Sequence, residues 1–265
     1  MLKRKIEDAL TQWKNKTGHK PLVIMGIRQC GKTFIAQHFA AENYKSVVYM
    51  NFIKEPERIN AFVGSKDVDK ILLNLSAQIQ GVKFIPGETC LIFDEIQDCP
   101  EARTSLKFFK EDGRFDVIAT GSLLGVQGYG DELRKRRRKL IRKEDLGINS
   151  FPVGSEEIIE MYPLDFEEFL WAIGNNAIMD IIRNAFERRK PLGNDIHRRI
   201  LKEFRVYMAV GGMPQAVAAY VDGKSYKQID RVKRGILRLY INDLKKHDTE
   251  NGDRAEIVFK SIPEQ

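Results

Sequence analysis

Residues 21–43 read PLVIMGIRQCGKTFIAQHFAAEN. The apolar run 21–25 stops at Gly26, a short loop carries Gly31, Lys32 and Thr33, and helix-forming residues resume at Phe34. Gly26-Ile27-Arg28-Gln29-Cys30-Gly31-Lys32-Thr33 fits the spacing G-x-x-x-x-G-K-[ST] of a phosphate-binding loop. Glycines at both ends let the backbone curl so that successive N–H groups face one concavity. The helix that follows adds unpaired first-turn donors and the positive end of its dipole. On this reading the residues from Gly26 to Phe34 surround the phosphates of ATP. Lys32 reaches the β- and γ-phosphates, and the Thr33 hydroxyl ligates Mg²⁺. The bland alternative is an ordinary glycine turn, but a buried-strand pattern before it and a helix pattern after it favour the phosphate loop. Within the loop, Arg28 reads as touching phosphate or, preferably, as pointing to solvent. Cys30 reads as a small space-filling residue rather than a redox thiol.

A loop of this kind needs a carboxylate for the metal, and TCLIFDEIQDCP at 89–100 supplies one. The apolar run 89–93 shows no alternation, as expected of a parallel strand covered on both faces. Asp94 ends it, where ligands bind in open α/β sheets, and is assigned to Mg²⁺ together with Thr33. Glu95 follows, in a place to orient or deprotonate an attacking water. The alternative is a solvated acidic turn. A third stretch, FDVIATGSLLG at 115–125, ends an apolar strand in Thr120-Gly121-Ser122. Thr120 or Ser122 would sit between the carboxylate and the γ-phosphate as a sensor, although Thr-Gly-Ser is also plain turn chemistry.

Working outward, the pattern gives strand 21–25, helix 32–42, strand 46–51, helices within 56–80, strand 88–93, helix 100–110, strand 115–120 and a last strand at 157–162. Such alternation predicts an α/β fold, a three-layer sandwich with a parallel sheet, followed by a smaller helical domain. A boundary falls near Pro163, giving a core at 1–162 and a helical lid at 163–265. Asp165 is a helix N-cap candidate with Glu168 three residues on. The GGMP at 211–214 marks a helix break, and Phe166, Phe169 and Trp171 are core candidates.

The 265 residues, 43% hydrophobic and 31% charged, have the balance of a globular protein. The longest apolar runs are far too short to span a bilayer, so no membrane association is expected. The N-terminus MLKRKIEDALTQWKNK lacks a signal-peptide core and reads as an amphipathic helix with Ile6, Leu10 and Trp13 on one face. Three cysteines and four scattered histidines form no disulfide framework or metal-ligand spacing, and a reducing cytoplasm is the expected location. The net charge of +7 is compatible with nucleic acid without requiring it.

GIRQCGKT, LIFDEIQDCP, ATGSLLG, SFPVGSEEIIEMYPLDFEEFLWA, VGGMPQAVAAY and LYINDLKKH, in that order, resemble the archaeal-type ATPases. These are a branch of the AAA+ superfamily related to the STAND ATPases. The resemblance implies the same roles for Lys32, Thr33, Asp94, Glu95 and Thr120 or Ser122; Gln97 belongs to its DEIQ pattern without a physical role. It also implies a further C-terminal domain, so that this chain would be an N-terminal fragment or a protein lacking the family's last domain. One departure is the basic run Arg134-Lys135-Arg136-Arg137-Arg138-Lys139, which leaves any arginine finger unidentified. That run reads as a solvated loop, a grip on nucleic acid, or a finger reaching a neighbouring subunit in a homo-oligomer. The expected function is Mg²⁺-dependent ATP binding and hydrolysis driving a conformational switch. The rivals are a nucleic-acid-binding module with ATP as a structural ligand, and a small-molecule kinase, against which the adjacent Asp94 and Glu95 favour water as nucleophile.

Overall fold

The computed structural model describes residues 1–64, 67–122, 154–247 and 252–262. The chain forms two compact units, one of Lys5–Ile27 with Gly31–Tyr162, the other of Met1–Arg4, Arg28–Cys30 and Pro163–Gln265.

The larger unit is built on a parallel sheet of five strands: β1 (Leu22–Gly26), β2 (Ser46–Asn51), β3 (Thr89–Asp94), β4 (Asp116–Ser122) and β5 (Glu157–Met161). Their order is β2-β3-β4-β1-β5, so the chain leaves β1, crosses over β4 and β3 to β2, and later returns to β1's other side. Every residue of β1 and β3 is buried, which is why neither strand alternates apolar with polar. In β5, at the sheet's edge, no such burial holds: exposed residues alternate with half-buried ones up to Met161. Flanking helices α1 (Ile6–Asn15), α2 (Lys32–Asn43), α3 (Val68–Gln78) and α4 (Pro100–Asp112) cover the sheet as a P-loop NTPase fold requires. The amphipathic face read at the N-terminus is the buried face of α1, where Ile6, Leu10 and Trp13 pack, and the Trp13 indole N–H donates to the Lys20 carbonyl at 2.7 Å.

The core gathers around Phe93, whose ring meets Phe52, Phe62 and Phe109 edge-on at centroid distances of 6.1, 5.3 and 5.8 Å. These aromatics hold β3 in place and so fix the residues at its carboxyl end. β3 runs to Asp94, one residue past the strand limit expected from the sequence. The 56–80 stretch holds helices as expected, a short 3₁₀ helix (Pro56–Ala61) and the α-helix α3. Asp67 caps that helix by accepting the Asp69 N–H.

The second unit is helical: α5 (Phe166–Ala172), α6 (Ile178–Glu187), α7 (Asn194–Val210), α8 (Pro214–Val221), α9 (Tyr226–His247) and α10 (Gly252–Ser261). Asp165 and Glu168 form a reciprocal capping box at the start of α5. Glu168 also pairs with the buried Arg4 at 3.2 Å. Leu164, Phe169, Val210, Ala216, Val217 and Ile229 form its core, with Phe166 packed against them. The break between α7 and α8 falls at Gly211, whose φ of 83° suits glycine. Among the described residues no helix is long and apolar enough to cross a membrane.

Candidate functional site

The carboxyl ends of the strands lie along one edge of the sheet, with Gly26 opposite Ser122 and Asn51 opposite Asp94. The edge where open α/β sheets bind ligands therefore carries the polar residues singled out above. Gly31 precedes α2 at φ 100°, a backbone region open to glycine, and no side chain caps the helix start. Among the described residues its first-turn N–H groups thus have no side-chain cap, the arrangement that accepts an anion. Lys32 is buried, and its ammonium donates to the carbonyls of Gly26 at 3.0 Å and Ile27 at 2.9 Å. The cation is thereby folded back over the loop that precedes it.

Asp94, 2% exposed, is the centre of the site. A buried carboxylate is costly unless donors surround it, and four side chains do so. Oδ1 accepts from the Thr33 hydroxyl at 2.8 Å and from the Thr120 hydroxyl. Oδ2 accepts from the Tyr49 hydroxyl and the Asn51 amide, each at 2.7 Å. Burial, and then the bond to Asp94, push the Tyr49 phenol up to about 12, so it stays a donor at neutral pH. Asn51 is itself fixed, its Oδ1 accepting the N–H groups of Ile53 at 3.1 Å and Lys54 at 2.8 Å.

Glu95 adopts a left-handed backbone (φ 57°, ψ 49°), which a non-glycine residue adopts at a cost. Its N–H donates to Thr120 Oγ1 at 3.4 Å, and its Oε2 accepts from Gln97 Nε2 at 2.5 Å. The structure thus brings Lys32, Thr33, Asp94, Glu95 and Thr120 into one hydrogen-bonded neighbourhood. Ser122 is buried at the end of β4 but makes none of the bonds to Asp94, so of the two sensor candidates Thr120 is the one placed there. Phe34 is largely exposed and stacks on His38 at 6.0 Å.

The middle of the loop corrects one expectation. Arg28 does not simply point to solvent: within the helical unit its guanidinium donates to Asp243 Oδ1 at 2.7 Å, and its carbonyl accepts from the Tyr240 hydroxyl at 2.7 Å. Asp243 is buried, so this pair is better shielded from water than a surface ion pair. The Cys30 side chain is buried, and its carbonyl accepts from Arg4 at 3.0 Å.

Sequence reasoning missed Tyr49, Asn51, Tyr240 and Asp243. Tyr49 and Asn51 had a usable signal, since they alternate on one face at the carboxyl end of β2. The basic run Arg134–Lys139 lies outside the described residues.

Among the described residues no group of three or more His, Cys, Asp and Glu could hold a metal. A Mg²⁺ ion does not need one, because it is usually held by one or two protein oxygens, water and substrate phosphates. The hard oxygens of Thr33 and Asp94, 2.8 Å apart, suit that donor set.

The profile of a family described as AAA domain matches residues 18–170, more than half of the chain. The protein belongs to the AAA domain family. A domain of unknown function (DUF8612) matches residues 201–265 of this AAA-domain protein. No match is found among curated proteins. Solved structures similar to it include the replication initiator DnaA bound to AMPPCP and single-stranded DNA, at 12% identity and TM-score 0.47, over 93% of this chain and 70% of that one. AMPPCP-bound DnaA from Aquifex aeolicus is 14% identical at TM-score 0.40, over 90% of this chain and 67% of that one. The strand order and the loop geometry above, not these distant likenesses, define the fold.

Proposed function

We propose that this AAA-domain protein binds ATP with Mg²⁺ and hydrolyses it, the hydrolysis timing a conformational switch. The observation that carries this reading is the contact of Thr33 with Asp94 directly after the Lys32 loop. Thr33 and Asp94 would hold Mg²⁺, which when bound neutralises charge on the β- and γ-phosphate oxygens. The Gly26–Phe34 segment supplies backbone donors to the phosphates, and Lys32 exchanges its two carbonyl partners for phosphate oxygens. Glu95 turns a water toward the γ-phosphorus and takes its proton. A bond forms from the water oxygen to phosphorus, the bond to the β,γ-bridging oxygen breaks, and ADP leaves with that electron pair. Thr120, bonded to Asp94 and to the Glu95 backbone, is placed to report the change in charge.

The wider reading follows the sequence resemblance: an archaeal-type, STAND-related ATPase of the cytoplasm, with a core at 1–162 and a helical lid at 163–265. Lys32→Ala tests the reading. Loss of a charge-assisted contact, typically about 1.5–3 kcal/mol, should weaken Mg·ATP binding by about tenfold or more. An unchanged affinity in isothermal calorimetry would remove the loop assignment.

A further inference from the structure

The one residue of the DEIQ stretch without a role is Gln97, and its surroundings supply one. Gln97 is 8% exposed. Its Nε2 donates to Glu95 Oε2, while its Oε1 is buried and has no hydrogen-bond partner among the described residues. Burying an amide costs free energy that hydrogen bonds normally offset. Among the described residues the offset comes from one bond, and that bond goes to Glu95. A methionine or leucine would fill the same volume without desolvating an amide, so packing alone does not account for a glutamine at this position.

The backbone tells the same story. Glu95 sits in the left-handed region, and the 3₁₀ turn Ile96–Asp98 follows at once, closed by the Asp98 N–H donating to the Glu95 carbonyl at 2.9 Å. Ile96, fully buried, anchors that turn in the core. This tight geometry brings the side chains of residues 95 and 97 together across two positions. The strain at Glu95 is therefore retained where it serves the Glu95 carboxylate.

We propose that Gln97 is a positioning residue: by holding Glu95 Oε2 it fixes the carboxylate and leaves Oε1 to receive the attacking water's proton. The proposal rests on the ATPase reading above. It makes Gln97 act only through Glu95, without touching nucleotide or metal.

Gln97→Met keeps the length and removes the donor. In single-turnover assays it should lower the rate of γ-phosphate release by about tenfold, a typical share of general-base catalysis, with Mg·ATP affinity unchanged. The same substitution made in a Glu95→Gln background should have no further effect, because residues acting as one unit are not additive. Gln97→Glu, of equal volume, places a second acid against Glu95 and should slow the parent in the same way. It carries the test if the methionine variant melts early. Two results would overturn the proposal: an equal loss from Gln97→Met in both backgrounds, or a loss of affinity with the chemical rate preserved. If Glu95→Gln alone turns over at the parent rate, it is the assignment of Glu95 that fails, and this is read separately in the same assay.

Discussion

Glu95→Gln is expected to bind Mg·ATP as the parent does while its turnover falls by about 10²-fold or more. The two halves of this expectation have separate physical sources. Affinity comes from the loop donors, Lys32 and the Thr33–Asp94 pair, and the Glu95 side chain bonds to none of these. An amide in place of the carboxylate keeps the size and polarity of the side chain, and Asp94 keeps all four of its donors. Chemistry, in contrast, needs a group that can accept the proton of the attacking water, and an amide cannot. Nucleotide titration and single-turnover phosphate release on one preparation separate the effects. A variant that releases phosphate at the parent rate would show that Glu95 is no base, and would return the adjacent acids to the status of a polar turn. A variant that fails to bind would place Glu95 in the metal site instead.

The parts of this site that were legible in the sequence are those that lie close together along the chain. Gly26 to Thr33 is one uninterrupted stretch from the last residue of a strand into the first turn of a helix, and its chemistry follows from its spacing. Asp94 and Glu95 could be placed because an unbroken apolar run announces a doubly covered strand, and its last residue falls at the ligand edge. What the sequence did not yield are the pairings that depend on register between distant segments. Tyr49 and Asn51 reach Asp94 only because β2 lies beside β3 with Asn51 opposite Asp94. The alternation of Tyr49 and Asn51 puts two polar groups on one face of β2, but only the pairing with β3 makes Asp94 their partner.

Asp243 was hidden for a different reason. It lies in a strongly charged helix, where an acid beside lysines reads as solvated, yet it is buried against Arg28. In the helical unit the start of α5 and the break between α7 and α8 were legible, whereas the bounds of the other helices were not. The Asp165–Glu168 box follows from two residue types at a fixed spacing. Which break tolerates a side chain does not, because that depends on what lies across from it.

Gly212→Ala should destabilise the helical unit by about 3 kcal/mol or more, at the upper end of overpacking effects. The reason is space rather than torsion. A methyl group at Gly212 would run into the Leu164 carbonyl oxygen and lie 3.2 Å from both the Leu164 carbonyl carbon and its nitrogen. These are backbone atoms, and neighbouring bonds hold them: the Leu164 N–H donates to the Gly212 carbonyl at 2.7 Å, and the Tyr207 hydroxyl donates to the Leu164 carbonyl at 2.9 Å. Leu164 is also a core residue, packed with Phe169, Val210, Ala216 and Val217. Moving it aside therefore breaks a backbone hydrogen bond and loosens the packing in the same step. Gly193→Ala is the matched control, because a methyl group there meets nothing within 4 Å and the position has no positive φ. It should cost about 0.5–1 kcal/mol as a helix cap change, well below the Gly212→Ala effect. Hydrogen exchange gives the readout by segment: Gly212→Ala should lose protection in α5, α7 and α8, whereas β1 and β3 should keep theirs. Parent-like protection in α5 and α7 of the Gly212→Ala protein would mean that the approach of Gly212 to Leu164 is looser than this packing requires.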